Sequence, residues 1–246
     1  MTIDLNCDMG ELSEDVANGT QEAMMAHITS VNVACGAHAG DENTMRETVR
    51  QAAGWKLAIG AHPGYPDREN FGRSPMKLPA AAVTESVCEQ VLRLAGIAQL
   101  MHVKPHGALY NAAARDPTLA AAIAEGVRRV SPDLSLVGLA GSAMLDAFRR
   151  AGFRVAAEAF ADRRYEPDGS LRPRRHRDAL LSDPDEAAEQ AARIVMERCT
   201  IAWDGSRVPV DASTICIHGD SPGAVAIAAA VSRKLRDSGV LLRPLR

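Results

Sequence analysis

Apolar and polar side chains alternate over residues 2–9 of the chain. Alternation at every second position is typical of a β-strand with one apolar and one polar face. The pattern recurs near residue 102, where His102 and Lys104 alternate with Met101 and Val103, and Pro105 then ends the strand because it cannot donate a ladder hydrogen bond. The polar face of the first stretch consists of Asp4, Asn6 and Asp8.

Further strand patterns alternate along the chain with helical ones, and the helix starts carry capping residues such as Asp41, Asp116 and Asp183. The predicted strands are 2–9, 27–35, 56–61, 101–105, 135–139, 153–160 and 214–218, with a short final strand at 239–242. The predicted helices are 41–53 closed by Gly54, 79–95, 117–130, 142–150, 184–198 and a last one capped by Ser221 and Pro222, with a further helix starting after Gly107. Residues 11–20 predict a loop or weak helix, 166–182 a long polar loop, and 201–210 a hairpin around Asp204 and Gly205.

A strand followed by a helix, repeated about seven times, predicts a parallel sheet covered by helices. The main alternative to a barrel is a doubly wound open sheet, whose buried strands are almost continuously hydrophobic. Several strands here carry a polar face instead, which requires a shared polar interior. We therefore predict a single domain, residues 1–246, folded as an irregular (β/α) barrel of about seven parallel strands. No G-x-G-x-x-G or Walker A motif occurs in the chain.

Chemically active side chains follow the carboxyl ends of the predicted strands. In a barrel these ends converge on one mouth, where catalytic residues lie. A single histidine there is commonly a hydrogen-bonded loop residue, but four histidines on separate strands favour a functional cleft. The set comprises Asp8, His38, His62, Lys104, His106, Glu158, Asp162, Arg163, His218 and Asp220.

Two chemistries fit such a mouth. Asp8, His38 and His62 could bind a divalent metal that activates water for amide hydrolysis, although no HxxxH or HExxH spacing presets a ligand pair. Alternatively, histidine and aspartate act as acid and base without metal, while Lys104 and Arg163 hold an anionic substrate. The residues by themselves leave both possibilities open.

Composition excludes several classes of function. The 246 residues carry a net charge of −3, and the one basic run, 172–177, lies between turn signals, so no nucleic-acid interface is predicted. No apolar run approaches the roughly 18 residues of a membrane span, and the N-terminus has no signal-peptide pattern. Five scattered cysteines without CxxC spacing indicate free thiols and a cytoplasmic protein.

Six segments together resemble the lactam-utilisation family, whose best-assigned members look like the A-type subunit of 5-oxoprolinase. The resemblance runs from about residue 2 to about 244 and implies a glycoside hydrolase/deacetylase-like irregular barrel. It also implies ATP-dependent opening of 5-oxoproline to L-glutamate, with ATP and Mg²⁺ as co-substrate and two partner subunits of the B and C types. The segments are DLNCDMGE (4–11), ACGAHAGD (34–41), IGAHPGYPD (59–67), VKPHGALYN (103–111), EAFADRRY (158–165) and HGDSP (218–222).

Within this resemblance, Asp8, His38, Lys104 and His106 are the expected catalytic residues. The stretch from His218 to Asp220 leads towards a helix N-terminus, a site suited to a phosphate or carboxylate. The expected substrate-binding residues are Asn6, His62, Glu158, Asp162, Arg163, His218 and Asp220.

The chain departs from the family pattern at Ala37, in residues 84–92 and at 174–178, and these changes put the partner contacts and the substrate in question rather than the fold. The alternatives are a metal-dependent deacetylase acting on an N-acetylated sugar or related amide, and a lactam-binding subunit without catalytic activity.

Overall fold

A computed structural model describes residues 1–220 and 223–245 of the chain and shows a closed barrel of parallel strands. Seven strands form the barrel, and they are β1 (Thr2–Met9), β2 (Ser30–Ala34), β3 (Ala58–His62), β4 (His102–Val103), β5 (Ser135–Leu139), β6 (Val155–Phe160) and β9 (Thr214–Ile217). Their order is that of the chain, and β9 pairs with both β6 and β1, which closes the sheet. The predicted irregular (β/α) barrel is therefore confirmed.

Helices cover the outside of the barrel between consecutive strands. Their starts follow the predicted caps, since the carboxylates of Asp41, Asp116 and Asp183 accept hydrogen bonds from first-turn backbone N–H groups. The helices are α1 (Ser13–Asn18), α2 (Thr20–Met25), α3 (Glu42–Gly54), α4 (Ala80–Ala95), α5 (Gly107–Ala113), α6 (Pro117–Arg128), α7 (Ala143–Arg150), α8 (Pro184–Glu197) and α9 (Ala224–Asp237).

The apolar faces of the strands pack against these helices. Leu5 and Cys7 of β1, Val31 of β2 and Leu136 of β5 are all fully buried, as is Ile227 on the inner face of α9. Alternation places the intervening polar side chains on the opposite face, inside the barrel. The period-two pattern of residues 2–9 therefore places alternate side chains of one strand against the helices and inside the barrel.

Polar side chains inside the barrel form hydrogen bonds with one another. The carboxylate of Asp4 accepts hydrogen bonds from Ser30 and Thr214, and the Asn6 amide donates to Thr214 and Glu158 at 2.7 and 3.0 Å. Because buried polar groups are costly unless they are paired, this network explains how a narrow barrel tolerates them. These hydrogen bonds also link neighbouring strands in the register that brings the chemically active residues at the strand ends together.

The middle of the barrel is tight where β2, β3 and β4 lie side by side. Asn32, Gly60 and His102 are in register across the three strands, and His102 Nε2 lies 2.7 Å from Asn32 Oδ1. A Cβ atom on Gly60 would lie only 2.2 Å from His102 Nε2. Gly60 is therefore the residue that makes room for the imidazole.

Several predicted boundaries were wrong. Residues 11–20, predicted as a loop or weak helix, contain α1 and the start of α2. β2, β4 and β6 are shorter than predicted because fewer of their residues pair with neighbours, while β3 begins two residues later and extends to His62, which pairs with Ala34. Gly54 is the last residue of α3 rather than the residue that follows it, and Lys56 takes the left-handed conformation instead. Pro79 precedes α4 as its cap residue, and β6 begins at Val155.

The remaining elements agree in kind with the predictions. The hairpin consists of β7 (Cys199–Ile201) and β8 (Arg207–Pro209), and the short final strand β10 (Leu241–Leu242) pairs with β1. The predicted cap at Ser221 and Pro222 lies outside the described residues. Among the helices that the structure describes, none combines the length and the apolar character needed to cross a membrane.

Candidate active site

The carboxyl ends of the barrel strands surround a cavity of about 420 Å³. This is the end of a (β/α) barrel where catalytic residues lie. Its floor contains Asp8, His62, Lys104 and His106, and Arg163 stands on its wall. With His218, six of the residues predicted at the strand tips thus line one cavity.

Lys104 is almost completely buried, and its ammonium group is surrounded by acceptors. Nζ lies 2.9 Å from Asp8 Oδ1, 3.0 Å from Glu158 Oε1 and 3.0 Å from Cys216 Sγ. Asn6 Oδ1 is a further acceptor at 3.3 Å. Two carboxylates therefore hold one cation beneath the cavity, which compensates the large cost of burying a charge.

Electrostatics keep this pair ionised. Burial by itself would raise the pKa of Asp8, but the charges of His62 and Lys104 outweigh it and hold that pKa well below its ordinary value. Burial would likewise lower the pKa of Lys104, but the carboxylates of Asp8 and Glu158 raise it well above its ordinary value. Cys216 stays a neutral thiol because burial raises its pKa.

A second group of side chains surrounds the carboxylate of Glu11. His38 Nε2 lies 3.0 Å from Glu11 Oε1, and His106 Nδ1 lies 3.2 Å from the same oxygen. His62 Nε2 lies 3.8 Å from this oxygen, 3.3 Å from Asp8 Oδ2 and 2.9 Å from His106 Nδ1. Three histidines from three different segments, including His62 at the end of β3, thus meet at one carboxylate.

The histidines differ in their protonation. Burial lowers the pKa of His38 to about 4, which makes its ring neutral near pH 7. Burial also disfavours the charged form of His62, but the carboxylate of Asp8 overcomes it and raises its pKa. Burial would raise the pKa of Glu11, but hydrogen bonds from His106 and His38 lower it strongly. Glu11 is therefore a carboxylate.

Asp162 and His218 form a third pair beside the cavity. The backbone N–H and the ring Nδ1 of His218 each lie 3.0 Å from a carboxylate oxygen of Asp162. The ring stacks on Phe160 with 5.5 Å between centroids. Burial would raise the pKa of Asp162, but the charge of His218 lowers it. The buried carboxylate therefore fixes the orientation of an imidazole that lines the cavity.

Cationic side chains dominate the upper wall. Arg163 donates a hydrogen bond to the carbonyl of Arg172 at 2.7 Å, and burial together with nearby Arg174 lowers its pKa to about 10, so it remains charged. The cavity lining also includes Arg73, Arg115, Arg174 and Arg175. Five guanidinium groups around one opening make this region suited to anions.

The other predicted site residues lie behind the cavity or at its rim. Asn6 and Glu158 lie beneath Lys104, while Asp162 supports His218 from below. His38 does not line the cavity itself, but its Nε2 lies 3.0 Å from Glu11 Oε1. Asp220 pairs with Arg73 and Arg174 at the rim, in a smaller adjoining pocket. α9 begins at Ala224, so His218–Asp220 does not itself start that helix.

The sequence interpretation missed Glu11 and most of the arginines. Glu11 is three positions past Asp8, just after β1 ends. Its position as the first carboxylate beyond the strand end was a signal that could have identified it. Arg73 and Arg115 follow no strand tip and carry no pattern. Arg174 lies in the basic run, which does face the cavity.

Within the described part of the chain, two groups of side chains could hold a metal ion. The ligand atoms of Glu11, His38, His62 and His106 all lie within 4.8 Å of one another, and those of Asp8, Cys216 and His218 form a second such group. The predicted trio of Asp8, His38 and His62 thus divides between them.

A closed parallel (β/α) barrel with an ion-paired, histidine-rich cavity at the carboxyl ends of its strands is an enzyme-type α/β barrel. Comparison with known proteins makes the assignment more specific. Residues 3–246 match the LamB/YcsF family, and the chain belongs to this family.

Individual relatives agree with this assignment. A protein from Chloroflexus aggregans that is named as the A-type subunit of 5-oxoprolinase is 49% identical, and the match covers 100% of both chains. The crystal structure of the lactam utilization protein from Thermus thermophilus is 41% identical, also over 100% of both chains, with a TM-score of 0.92. A structure titled "T48 deacetylase with substrate" resembles the fold alone, with 17% identity, a TM-score of 0.50 and coverage of 99% of this chain and 87% of that one.

Proposed function

We propose that this chain is the A-type subunit of a 5-oxoprolinase, which opens 5-oxoproline to L-glutamate with ATP and Mg²⁺ as co-substrate. The observation that carries the proposal is the buried pair of Lys104 and Asp8, 2.9 Å apart at the floor of a cavity with an arginine-rich wall. The full-length match to a relative of that name supports it.

The cavity suits the proposed substrate. 5-Oxoproline is a small ring that carries one carboxylate and one amide carbonyl, and guanidinium groups bind carboxylates through paired hydrogen bonds. With the carboxylate on Arg163 or its neighbours, the ring would extend towards Lys104. A cavity of about 420 Å³ is larger than this ring requires, which leaves space for a phosphate group.

The chemistry assigns a role to each floor residue. The γ-phosphoryl group of ATP passes to the lactam oxygen and ADP leaves; water then attacks the activated carbon as the ring C–N bond breaks. A second water hydrolyses the resulting acyl phosphate to L-glutamate and inorganic phosphate. Asp8 accepts the proton of the first water, and Lys104 stabilises the negative charge on the oxygen. Asp8 then returns this proton to the departing nitrogen, while His106 lines the cavity beside the reacting groups and His38 positions Glu11.

Asn6, Glu158 and Asp162 act through other residues. Asn6 and Glu158 hold Lys104 in place, and Asp162 orients His218 towards the substrate. His62 and Arg163 contact the substrate, whereas Asp220 positions Arg73 and Arg174 at the rim. The contacts of these residues with the cavity floor or wall support the assignments.

The proposal includes partner subunits of the B and C types. The chain has no Walker A motif or dinucleotide-binding glycine motif, and partner subunits would complete the ATP site. The isolated chain should then show little or no ATP-driven lactamase activity. Robust turnover by the chain alone would refute the multi-subunit arrangement.

The test is a coupled assay with 5-oxoproline, ATP and Mg²⁺, using this chain alone and together with B- and C-type subunits from the same organism. Glutamate formation only in the full mixture supports the proposal. Lactam binding without glutamate formation in the full mixture would indicate a non-catalytic binding subunit. Release of acetate from N-acetylated sugars by the chain alone would indicate a deacetylase instead.

A further inference from the structure

The cluster of Glu11, His38, His62 and His106 has two rings whose hydrogen bonds define their tautomers. His62 Nδ1 lies 2.7 Å from the backbone carbonyl of Lys104, and His106 Nε2 lies 2.8 Å from the backbone carbonyl of Phe71. A carbonyl oxygen only accepts, so each of these nitrogens carries the proton. The other nitrogen of each ring, Nε2 of His62 and Nδ1 of His106, therefore offers a lone pair to a metal ion once it has lost any proton that it carries.

These two lone pairs point at each other. His62 Nε2 and His106 Nδ1 are 2.9 Å apart, and the carboxylate of Glu11 lies 3.2 Å from the latter. Two such nitrogens and a carboxylate oxygen repel one another unless a cation, either a proton or a metal ion, lies between them. Ligating histidines characteristically donate their other N–H to a backbone carbonyl, as both of these rings do.

The spacing of the four ligand atoms also suits a metal. With metal–ligand bonds of about 2.0–2.1 Å, the edges of a tetrahedron are roughly 3.4 Å long. The measured ligand separations are 2.9 Å between His62 and His106, and 3.0, 3.2 and 3.8 Å from Glu11 Oε1 to His38, His106 and His62. These values bracket the tetrahedral edge.

The rings are also held in position before any ligand binds. His38 and His106 stack in parallel with 3.8 Å between centroids. Two glycines pack closely against His38: a Cβ on Gly64 would lie 2.7 Å from His38 Nδ1, and a Cβ on Gly72 would lie 2.7 Å from His38 Cβ. This packing leaves the imidazoles little freedom to turn away from Glu11.

We propose that Glu11, His38, His62 and His106 bind one divalent transition-metal ion, of the Zn²⁺ class, at the floor of the cavity. Three imidazole nitrogens and one carboxylate favour such ions over Mg²⁺ or Ca²⁺, which prefer oxygen ligands. When bound, the ion supplies a Lewis acid next to Asp8. The site is independent of the Mg²⁺ that accompanies ATP and does not rest on the proposed reaction.

The test measures metal content and stability rather than turnover. Tag-free protein is stripped with a chelator, dialysed against Zn²⁺ or Co²⁺ and analysed for bound metal. We expect about one ion per chain, a higher melting temperature on reloading, and visible Co²⁺ absorption typical of tetrahedral nitrogen and oxygen ligation.

Two ligand variants and one matched control decide the result. His38→Gln and Glu11→Gln each remove one ligand and should weaken Zn²⁺ binding by at least about tenfold. Even the loss of a contact that only supports a ligand weakens metal binding by this much. His176→Gln, a half-buried histidine of the 166–182 loop, should bind metal as the unaltered chain does. Circular dichroism checks that each variant is folded.

The proposal is overturned if the reloaded chain holds no stoichiometric metal, in which case a shared proton joins His62 and His106. It is equally overturned if folded His38→Gln and Glu11→Gln retain metal with unaltered affinity, which would place the ion elsewhere.

Discussion

Lys104 Nζ and Asp8 Oδ1 lie 2.9 Å apart, although the two residues are 96 positions apart in the sequence. The ammonium group also lies 3.0 Å from Glu158, so two carboxylates share one buried cation. Asp8 in turn accepts a hydrogen bond from Asn32 at 2.8 Å and approaches His62. The pair thus joins the polar interior of the barrel to the cavity floor.

Lys104→Met should lower turnover of the reconstituted enzyme by about 10²–10³, because it removes the charge that faces the reacting oxygen. Asp8→Asn should lower it as much, since it keeps the shape of the side chain and removes the base. Lys77→Met, at an exposed position, is the matched control. Turnover is measured beside thermal melting of each variant. Near-normal turnover of either folded variant removes that residue from the catalytic set.

Gly60→Ala should destabilise the protein by about 1–3 kcal/mol or more, because the new Cβ would overlap the imidazole of His102. Gly54→Ala is the matched control, since nothing lies within 4 Å of its Cβ position, and it should be neutral or stabilising. Urea unfolding measures both. Adding His102→Ala to Gly60→Ala should recover part of the loss, and strict additivity of the two changes would contradict the steric explanation.

Stability should depend on pH through His102. Burial lowers the pKa of this residue from 6.5 to about 3, so the unfolded chain binds a proton between these values and the folded chain does not. This contribution is fully present above pH 6.5 and is lost progressively as the pH falls towards about 3, at up to about 1.4 kcal/mol per pH unit. His102→Gln should flatten the dependence of the unfolding free energy between about pH 6.5 and 5. An unchanged slope would show that other groups produce it.

Arg174→Gln should raise the KM for 5-oxoproline or for ATP by about three- to tenfold with a smaller change in kcat, because it removes one cation from the partly exposed cavity wall. Arg177→Gln, an exposed neighbour on the same loop that does not line the cavity, is the control and should leave KM unaltered. Steady-state kinetics of the reconstituted enzyme measure both. Equal effects of the two changes would indicate a general loss of charge instead of a binding contact.

Much of the fold was predictable from residues 2–9 and 102–104. An alternating strand must place one face in an apolar layer and the other in a polar one, and a barrel interior supplies the polar layer. Helix starts at Asp41, Asp116 and Asp183 were predictable because capping is a local interaction. Strand ends were less predictable, since pairing with a neighbour decides where a strand stops.

The sequence by itself determined that reactive side chains follow the strands, because each such position depends only on local alternation and on the turn that follows. Only the tertiary structure decided which of them meet. Barrel closure brings Asn6 next to Thr214, 208 positions away, and places Glu11 among three histidines from other segments. The tautomers of His62 and His106 depend on backbone carbonyls of other segments. Such contacts are set by strand register and packing across the barrel, which local sequence spacing does not encode.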